Sequence, residues 1–325
     1  MTFAQLRSFA TVARVGSVSA AADALGVTEP AVSSAVASLR RDLGDPLYVR
    51  TGRGIRLTPG GERLAAAAAE IMGLEDRLRR EVGEARGERG LLRLVVSPTV
   101  AEYVSAPLLD AFTRRQPMLE VTQEVASPDA FGALLADRRA DVALGPAPPV
   151  APRIDVAPFL RYKLVVVAAP DHRIAGARDV ALEALRPERW LVGPAGAEPP
   201  SALGEFFRSG GLADPEPGVF TTEAAAQAAA AAGHGVMLAI AHTVIDPLRR
   251  GTLVRLDVRG TPRDAMWHAA TLRDRLSPAA DALRRFVTTP EATHALVARP
   301  GGVQAGRFRP PVYVTLWSAL EGPGG

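Results

Sequence analysis

The sequence predicts an α/β protein overall: a mainly helical winged helix-turn-helix, a long linker helix, and a two-lobed α/β domain. Three observations lead there. Apolar residues recur at helical spacing through the first forty-odd positions and are followed by a hairpin pattern. Helical spacing then runs without a break from Thr58 to about Arg86. Beyond Gly90 short apolar runs alternate with helical stretches, in two successive series, as in a parallel sheet covered by helices.

At 325 residues and 47% apolar composition, the chain suggests two or three globular domains. It has no cysteine, which excludes disulfides, thiolate metal sites and thiol redox chemistry. The start, Met1-Thr2-Phe3-Ala4-Gln5-Leu6-Arg7, lacks the pattern of an export signal, and no apolar run is long enough for a membrane span. The expected location is the cytoplasm, with no membrane partner. Net charge is only +3, and Lys163 is the sole lysine among 38 basic residues. Residues 1–60 carry seven arginines (7, 14, 40, 41, 50, 53, 56) against four acids (23, 29, 42, 45). Residues 61–90 are balanced, so the basic excess sits at the front, where it suits contact with nucleic acid.

Phe3, Leu6, Phe9, Ala10 and Ala13 define a first helix ending at Gly16. Ser17 or Ser19 is placed to cap a short helix from Ala20 to Leu25. Gly26-Val27 breaks it, and Thr28 is placed to cap a third helix running to Leu43. Two short helices separated by a glycine-bearing turn make a helix-turn-helix. Ala22 is small at the crossing, Gly26 supplies the positive φ of the turn, and Val32 packs back. Leu47-Tyr48-Val49-Arg50 and Ile55-Arg56-Leu57 flank a Thr51-Gly52-Arg53-Gly54 tip and read as a β-hairpin. A hairpin directly after a helix-turn-helix is a wing. Thr58-Pro59 then opens the next helix, with proline at its favoured first position.

These residues resemble the start of a LysR-type transcriptional regulator. The match runs through Gln5-Leu6-Arg7-Ser8-Phe9, Gly16-Ser17-Val18-Ser19-Ala20-Ala21-Ala22 and Leu25-Gly26-Val27-Thr28-Glu29-Pro30-Ala31-Val32-Ser33. It continues through Leu39, Leu43-Gly44, Pro46-Leu47, Arg50 and Leu57-Thr58-Pro59-Gly60-Gly61, some sixty residues in register. The resemblance implies that the third helix enters the major groove of double-stranded DNA while the wing touches backbone or minor groove. Thr28, Glu29, Pro30, Ser33 and Ser34 then face base edges and phosphates, with Val32, Val36 and Leu39 turned inward. Arg40 and Arg41 at the far end of the helix are read either as phosphate contacts or as a solvated helix end, while Arg53 at the wing tip is a candidate for groove or phosphate contact and Arg50 for DNA contact. Glu29 departs from the glutamine usual in the family. It is read either as an acid stabilised at a helix N-terminus or as an acceptor from cytosine N4.

In the linker, Leu64, Ala67, Ile71, Leu74 and Leu78 follow a heptad seam, with Glu81 a polar lapse and Ala85 resuming it. A lone helix with one apolar stripe is marginal in water, so dimerisation through it is expected, and the resemblance implies a tetramer. Gly83 and Gly87-Glu88-Arg89-Gly90 mark its end and a hinge.

In the last large region strands are expected over 91–97, 119–125, 141–145, 163–169, 190–192, 218–221, 236–240 and 266–272. Helices are expected after Pro98-Thr99, over 130–138, from Ser201, over 222–232 and over 277–287. Through Ser97-Pro98-Thr99, Asp141-Val142-Ala143-Leu144-Gly145, Ala168-Ala169-Pro170-Asp171-His172 and Thr221-Thr222-Glu223-Ala224, residues 91–288 resemble, more loosely, the effector domain of the same family, itself similar to periplasmic solute-binding proteins. Ligands of open α/β sheets sit at the carboxyl ends of strands against helix N-termini. The candidates are Ser97, Thr99, Ala126, Ser127, Gly145, Thr221 and Thr222, with 194–198 from the second lobe. Hydroxyls with free backbone N–H groups suit a small organic or phosphorylated anion. Ser97, Thr99 and Thr222 read equally as helix caps.

The expected domains are 1–60, the DNA-binding head; 61–89, the linker; 90–288, the effector domain; and 289–325, an extension without assigned role. Pro300, Gly301, Gly302, Pro310 and Pro311 argue against helix there, and residues 312–317 alternate like a strand. Histidines 172, 234, 242, 268 and 294 show neither metal-ligand spacing nor a catalytic triad, and no nucleotide-binding loop is present. An enzyme, a metal site and a resident cofactor are therefore not expected. The expected partners are an interrupted palindromic operator, a small-molecule effector, further copies of the chain, and RNA polymerase. The alternative is a small-molecule-binding protein with a vestigial DNA-binding head.

Overall fold

The computed structural model describes residues 1–51, 54–86, 89–193, 205, 206, 208, 218–273 and 276–297. The chain forms two compact units, one of residues 1–90 with 136–139 and one of 91–135 with the residues from 140 onward.

In the first unit α1 (Phe3–Val15) opens with a capping box. The Thr2 hydroxyl accepts the Gln5 N–H at 3.3 Å, and the Gln5 side-chain carbonyl accepts the Thr2 N–H at 2.7 Å. Ser17 caps α2 (Val18–Leu25), which ends at left-handed Gly26. α3 (Glu29–Leu43) follows. Phe9, Val12, Ala21, Val32, Val36 and Leu39 close one core between the three helices. Thr28 occupies the N-cap of α3 but accepts no side-chain hydrogen bond. The reason is local: Pro30 removes one first-turn donor, and the next, Ala31 N–H, bonds the Thr28 carbonyl instead.

β1 (Tyr48–Thr51) and β2 (Gly54–Leu57) pair antiparallel, with Tyr48 opposite Leu57. α4 (Pro59–Ala85) begins where the Thr58 hydroxyl accepts the Gly61 N–H at 2.9 Å and donates to Asp45 at 2.8 Å. Asp45 also accepts the Leu47 N–H at 2.6 Å. This backbone bond, and then the Thr58 bond, hold its carboxyl below the usual range. A Cβ at Gly61 would collide with the Leu47 carbonyl, so only glycine lets the helix start pass so close to the wing. Leu64, Ala65 and Ala68 pack on the head core. Farther along, Ile71, Leu74, Leu78 and Val82 are 39–55% exposed, an apolar stripe with no cover among the described residues. Val82 carries the stripe beside the polar lapse expected at Glu81. The side chains of Glu81 and Ala85 lie outside the described residues.

The second unit holds β3 (Gly90–Val96), α5 (Pro98–Val100), a π-helical turn at Ala101–Ser105, α6 (Ala106–Thr113), β4 (Leu119–Val125), α7 (Pro128–Ala136), β5 (Val142–Gly145) and β6 (Ile154–Ala168). It continues with β7 (Trp190–Val192), β8 (Gly218–Val219), α8 (Glu223–Ala231), β9 (Val236–Ile240), α9 (Ile245–Arg249), β10 (Val254–Leu256), β11 (Arg263–Leu272), α10 (Pro278–Phe286) and α11 (Pro290–Val297). The sheet order is β4-β3-β5-β11-β6-β9-β7-β8, with β10 also on β6. β3 with β5, and β7 with β8 and β9, are parallel as expected.

The middle of the sheet departs from the expected parallel pattern. β6 and β11 pair antiparallel from Ile154 opposite Leu272 to Leu164 opposite Arg263, and so pass between the lobes as one two-stranded ribbon. Both strands start earlier than the sequence suggests. Asp155 and Pro158 disguise the first half of β6, and the register shifts between Trp267 and His268, opposite that proline. Proline cannot donate to the ladder and is tolerated where the pairing is irregular. The strand expected over 218–221 covers only Gly218–Val219. The helix expected after Pro98 is broken into α5, the π turn and α6. α11 is a helix the sequence reading did not include, capped where the Thr289 hydroxyl accepts the Ala292 N–H at 3.2 Å. The helix expected from Ser201 falls mostly, and the strand over 312–317 wholly, outside the described residues.

Candidate functional sites

On the head, Thr28, Glu29, Pro30, Ser33 and Ser34 are all exposed on α3, while Val32, Val36 and Leu39 are buried on its opposite face. The 3.6-residue period separates the two sets cleanly. A groove of about 290 Å³ runs between helix and wing, lined by Ser33, Val36, Ala37, Arg40, Tyr48 and Arg50. Arg50 is exposed on β1. Arg40, also in the lining of this groove, is partly buried. Its guanidinium lies over the Tyr48 ring at 4.1 Å and donates to the Tyr48 carbonyl at 3.2 Å, bracing the wing against the helix. Arg53 lies outside the described residues.

In the sensor, the structure joins the first-lobe strand ends. Ala126 N–H donates to the Val96 carbonyl at 3.0 Å, and Ser97 N–H donates to the Leu144 carbonyl at 3.0 Å. A Cβ on Gly145 would stand about 3.0 Å from the Ser97 side chain, so the close approach of these ends needs glycine. Ser97 and Thr99, however, are buried, and Ser97 Oγ accepts the Val100 N–H at 3.4 Å. Between the two readings of Ser97, the geometry is that of a cap. Ser127 is half-buried beside Ala126. Thr221 and Thr222 are exposed, and Thr222 caps α8 by accepting the Ala225 N–H at 3.0 Å. Residues 194–198 lie outside the described residues.

The contact across the lobes is made instead by Glu102 and Tyr103, in the π turn. The Glu102 carboxylate accepts the N–H groups of Glu223 and Ala224, both at 3.1 Å. The first-turn donors of α8, expected to be free for an anion, are thus engaged by the protein's own carboxylate. That is a favourable partner at a helix N-terminus. Gln227, one turn along α8, donates to Tyr103 Oη at 3.3 Å and to Thr243 Oγ1 at 3.0 Å. Glu223 is buried at the start of α8, its carboxyl close against Gly193. Burial, and then the charge of Glu102, push its pKa up to about 7. The Tyr103 hydroxyl is pushed upward by burial and then by Glu102.

Behind this junction the ribbon forms a floor. Ring contacts run from Tyr103 to His242 (6.3 Å), from His242 to Trp267 (6.2 Å), and from Trp267 to Tyr162 (4.4 Å). A cavity of about 540 Å³ opens beside Tyr162, bordered by Pro146 just past β5, Arg161 on β6, and Arg263 and His268 on β11. Arg263 approaches Glu205 at 3.9 Å, and Lys163 pairs with Asp264 at 2.8 Å. Burial pushes the pKa of His268 down. Among the described residues no cluster of histidine and carboxylate is placed to hold a metal ion, and no helix is long and apolar enough to cross a membrane.

Sequence reasoning missed Glu102, Tyr103, Glu223 and Gln227. An acid at the first position of a helix looks like an ordinary dipole partner, and nothing local says that it is buried beside a second carboxylate 121 residues earlier in the chain.

Two family descriptions match the chain: the lysR-family bacterial regulatory helix-turn-helix protein over residues 3–62, and the LysR substrate binding domain over residues 85–290. The HTH-type transcriptional regulator Rv0377 of Mycobacterium tuberculosis is 38% identical over 98% of this chain and 100% of its own length. The crystal structure of CbnR, a LysR family transcriptional regulator, superposes with a TM-score of 0.59 at 24% identity, covering 88% of this chain and 98% of CbnR. The regulatory domain of Synechocystis CcmR, solved in complex with 2-PG, superposes with a TM-score of 0.52 at 26% identity. It covers 62% of this chain and 99% of that domain.

Proposed function

The chain belongs to the LysR family of bacterial transcriptional regulators, and we propose that it reads an interrupted palindromic operator through α3 and responds to a small molecule held between the sensor lobes. The observation that carries this reading is the exposed polar face of α3, within a head that matches the family's DNA-binding domain without interruption. Thr28, Glu29, Pro30, Ser33 and Ser34 meet base edges and phosphates, Arg50 and Arg53 meet the backbone from the wing, and Arg40 positions that wing. Residues 1–60 act as the head, 61–89 as the linker and 90–288 as the sensor. The exposed stripe at Ile71, Leu74, Leu78 and Val82 pairs two copies along α4. Sensor contacts extend the pair to a tetramer. The effector lies at the junction of the strand ends, Thr221, Thr222 and the ribbon; that the similar CcmR regulatory domain was solved in complex with 2-PG supports a small-molecule ligand for the sensor. Its binding biases one arrangement of the heads over another by about 1–3 kcal/mol, enough to alter the access of RNA polymerase to a promoter.

The test is a mobility shift of the purified full chain on the intergenic DNA upstream of its own gene, repeated with pools of small metabolites. A sequence-specific shift that one pool changes is the expected result. A specific shift that no pool changes would remove the effector half of the reading. No specific shift there, or on duplexes selected from a random library, would leave a sensor with a vestigial head.

A further inference from the structure

Resting on the reading of the interlobe junction as the place where the sensor responds, we infer that Glu102 is a built-in latch. It is an autoinhibitory contact by which the first lobe grips α8 of the second, and an effector at the junction must release it. The grip has two prongs. Glu102 Oε2 accepts the Glu223 N–H and Oε1 accepts the Ala224 N–H, both at 3.1 Å. These are the first two donors of α8, which no helical carbonyl reaches, and Thr222 Oγ1 takes the third, Ala225 N–H, at 3.0 Å. An ionised acceptor makes the stronger hydrogen bond, and negative charge is favoured at this end of a helix. One turn farther along α8, Gln227 Nε2 donates to Tyr103 Oη at 3.3 Å, so the next residue of the π turn holds the same helix face.

The mounting suits a part that releases. Glu102 and Tyr103 stand on the π turn Ala101–Ser105, set between α5 and α6. Val104 and Ser105 are buried and anchor it, and Ser105 Oγ donates to the Val100 carbonyl at 3.2 Å. A π turn is a local excess within a helix, a device that re-aims the side chains it bears. Glu102 itself is exposed. Water can replace both of its bonds, so opening the latch strands no buried charge, unlike the parting of a buried pair. An effector seated at the junction either takes the donors of α8 or displaces the turn, and either event frees the helix. Loss of the Glu102 carboxylate should therefore copy the effect of the effector.

The experiment compares the full chain with Glu102→Ala and Glu102→Gln, by amide hydrogen exchange and by fluorescence anisotropy on DNA with no metabolite added. In Glu102→Ala the Glu223 and Ala224 amides should exchange about tenfold faster. Ala225, still capped by Thr222, should stay protected and so report a folded α8. Glu102→Gln, which keeps one carbonyl acceptor, should fall between alanine and wild type. Should Ala225 lose protection in Glu102→Ala, the glutamine variant carries the test. Faster exchange at Glu223 and Ala224 with Ala225 protected upholds the latch, and wild-type exchange at both amides overturns it.

The inhibitory role has its own readout. On a duplex that the wild type binds specifically, Glu102→Ala should change the affinity at least about fivefold. Unchanged affinity overturns the inhibition while the regulator reading stands. A wild-type chain that binds no duplex specifically fails the regulator reading itself, and this inference falls with it.

Discussion

The head and the sensor build their candidate sites in opposite ways. In the head every candidate residue except those of the wing lies within a few positions of α3, and one helical period sorts reading residues from core residues. In the sensor the decisive contact joins Glu102 to the start of α8, 121 residues away in the chain. A site made by one helix is written locally. A site made where two lobes meet depends on tertiary geometry that no local pattern encodes, and it carries the burial and shifted acidity that local sites lack.

The strongest way to break this comparison is to unfold one region alone. Val36 is 1% exposed in the head core, so Val36→Asp places an unpaired charge there at a cost on the order of 4 kcal/mol or more. Scanning calorimetry should show the head transition lost and the sensor transition unchanged, with DNA binding abolished. A sensor transition that falls with it would show that the two units do not melt separately.

Next in size is the sensor's pH dependence toward neutrality, above the range in which the head's Asp45, held low, titrates. The Glu223 pKa is raised from 4.5 to about 7 in the folded state. Its protonated form is therefore favoured by folding: the associated stability is full below about pH 4.5 and is lost as pH rises through 7. The loss amounts to roughly 3 kcal/mol at most. Glu223→Gln should flatten that slope in urea melts of the sensor between pH 5 and pH 8, and a slope unaltered by the substitution would show that the group is not buried as described.

A smaller effect sharpens the head's side. Arg50→Ala should weaken binding to operator and to unrelated duplex equally, by about 1 kcal/mol, and lower the salt slope by about 0.9. Glu29→Gln should instead change base preference in a selection from random duplexes, and an unchanged preference would leave Glu29 as a helix-terminus acid. Smallest is Ser97→Ala. The loss of its cap to Val100 should lower sensor stability by about 1 kcal/mol and leave operator affinity untouched.

The same contrast explains what the sequence made legible. Gly16, Gly26 and Gly44 end the three head helices in the left-handed conformation, as turn chemistry demands, and each stop could be read directly. In the sensor the strand ends at Ser97, Ala126 and Gly145 were legible as an assembly, because strand–helix alternation forces them to one edge. Their chemistry was not: Ser97 is buried against Gly145, and the π turn that swings Glu102 and Tyr103 toward α8 leaves no mark in apolar spacing. The antiparallel ribbon was hidden for a related reason. Pro158 and the charged start of β11 break the alternation that would have announced one long pair.

The central claim is that the chain is a sequence-reading regulator. Its most direct test is fluorescence anisotropy of the full chain on a duplex chosen by selection from its own upstream DNA, titrated against an unrelated duplex at physiological salt. The account predicts a specificity ratio of at least about 10³, which falls toward unity when Ser33 and Ser34 are both replaced by bulky Glu. Equal affinity for the two duplexes, differing only in how salt weakens it, would contradict the claim and leave the head a nonspecific binder of charge.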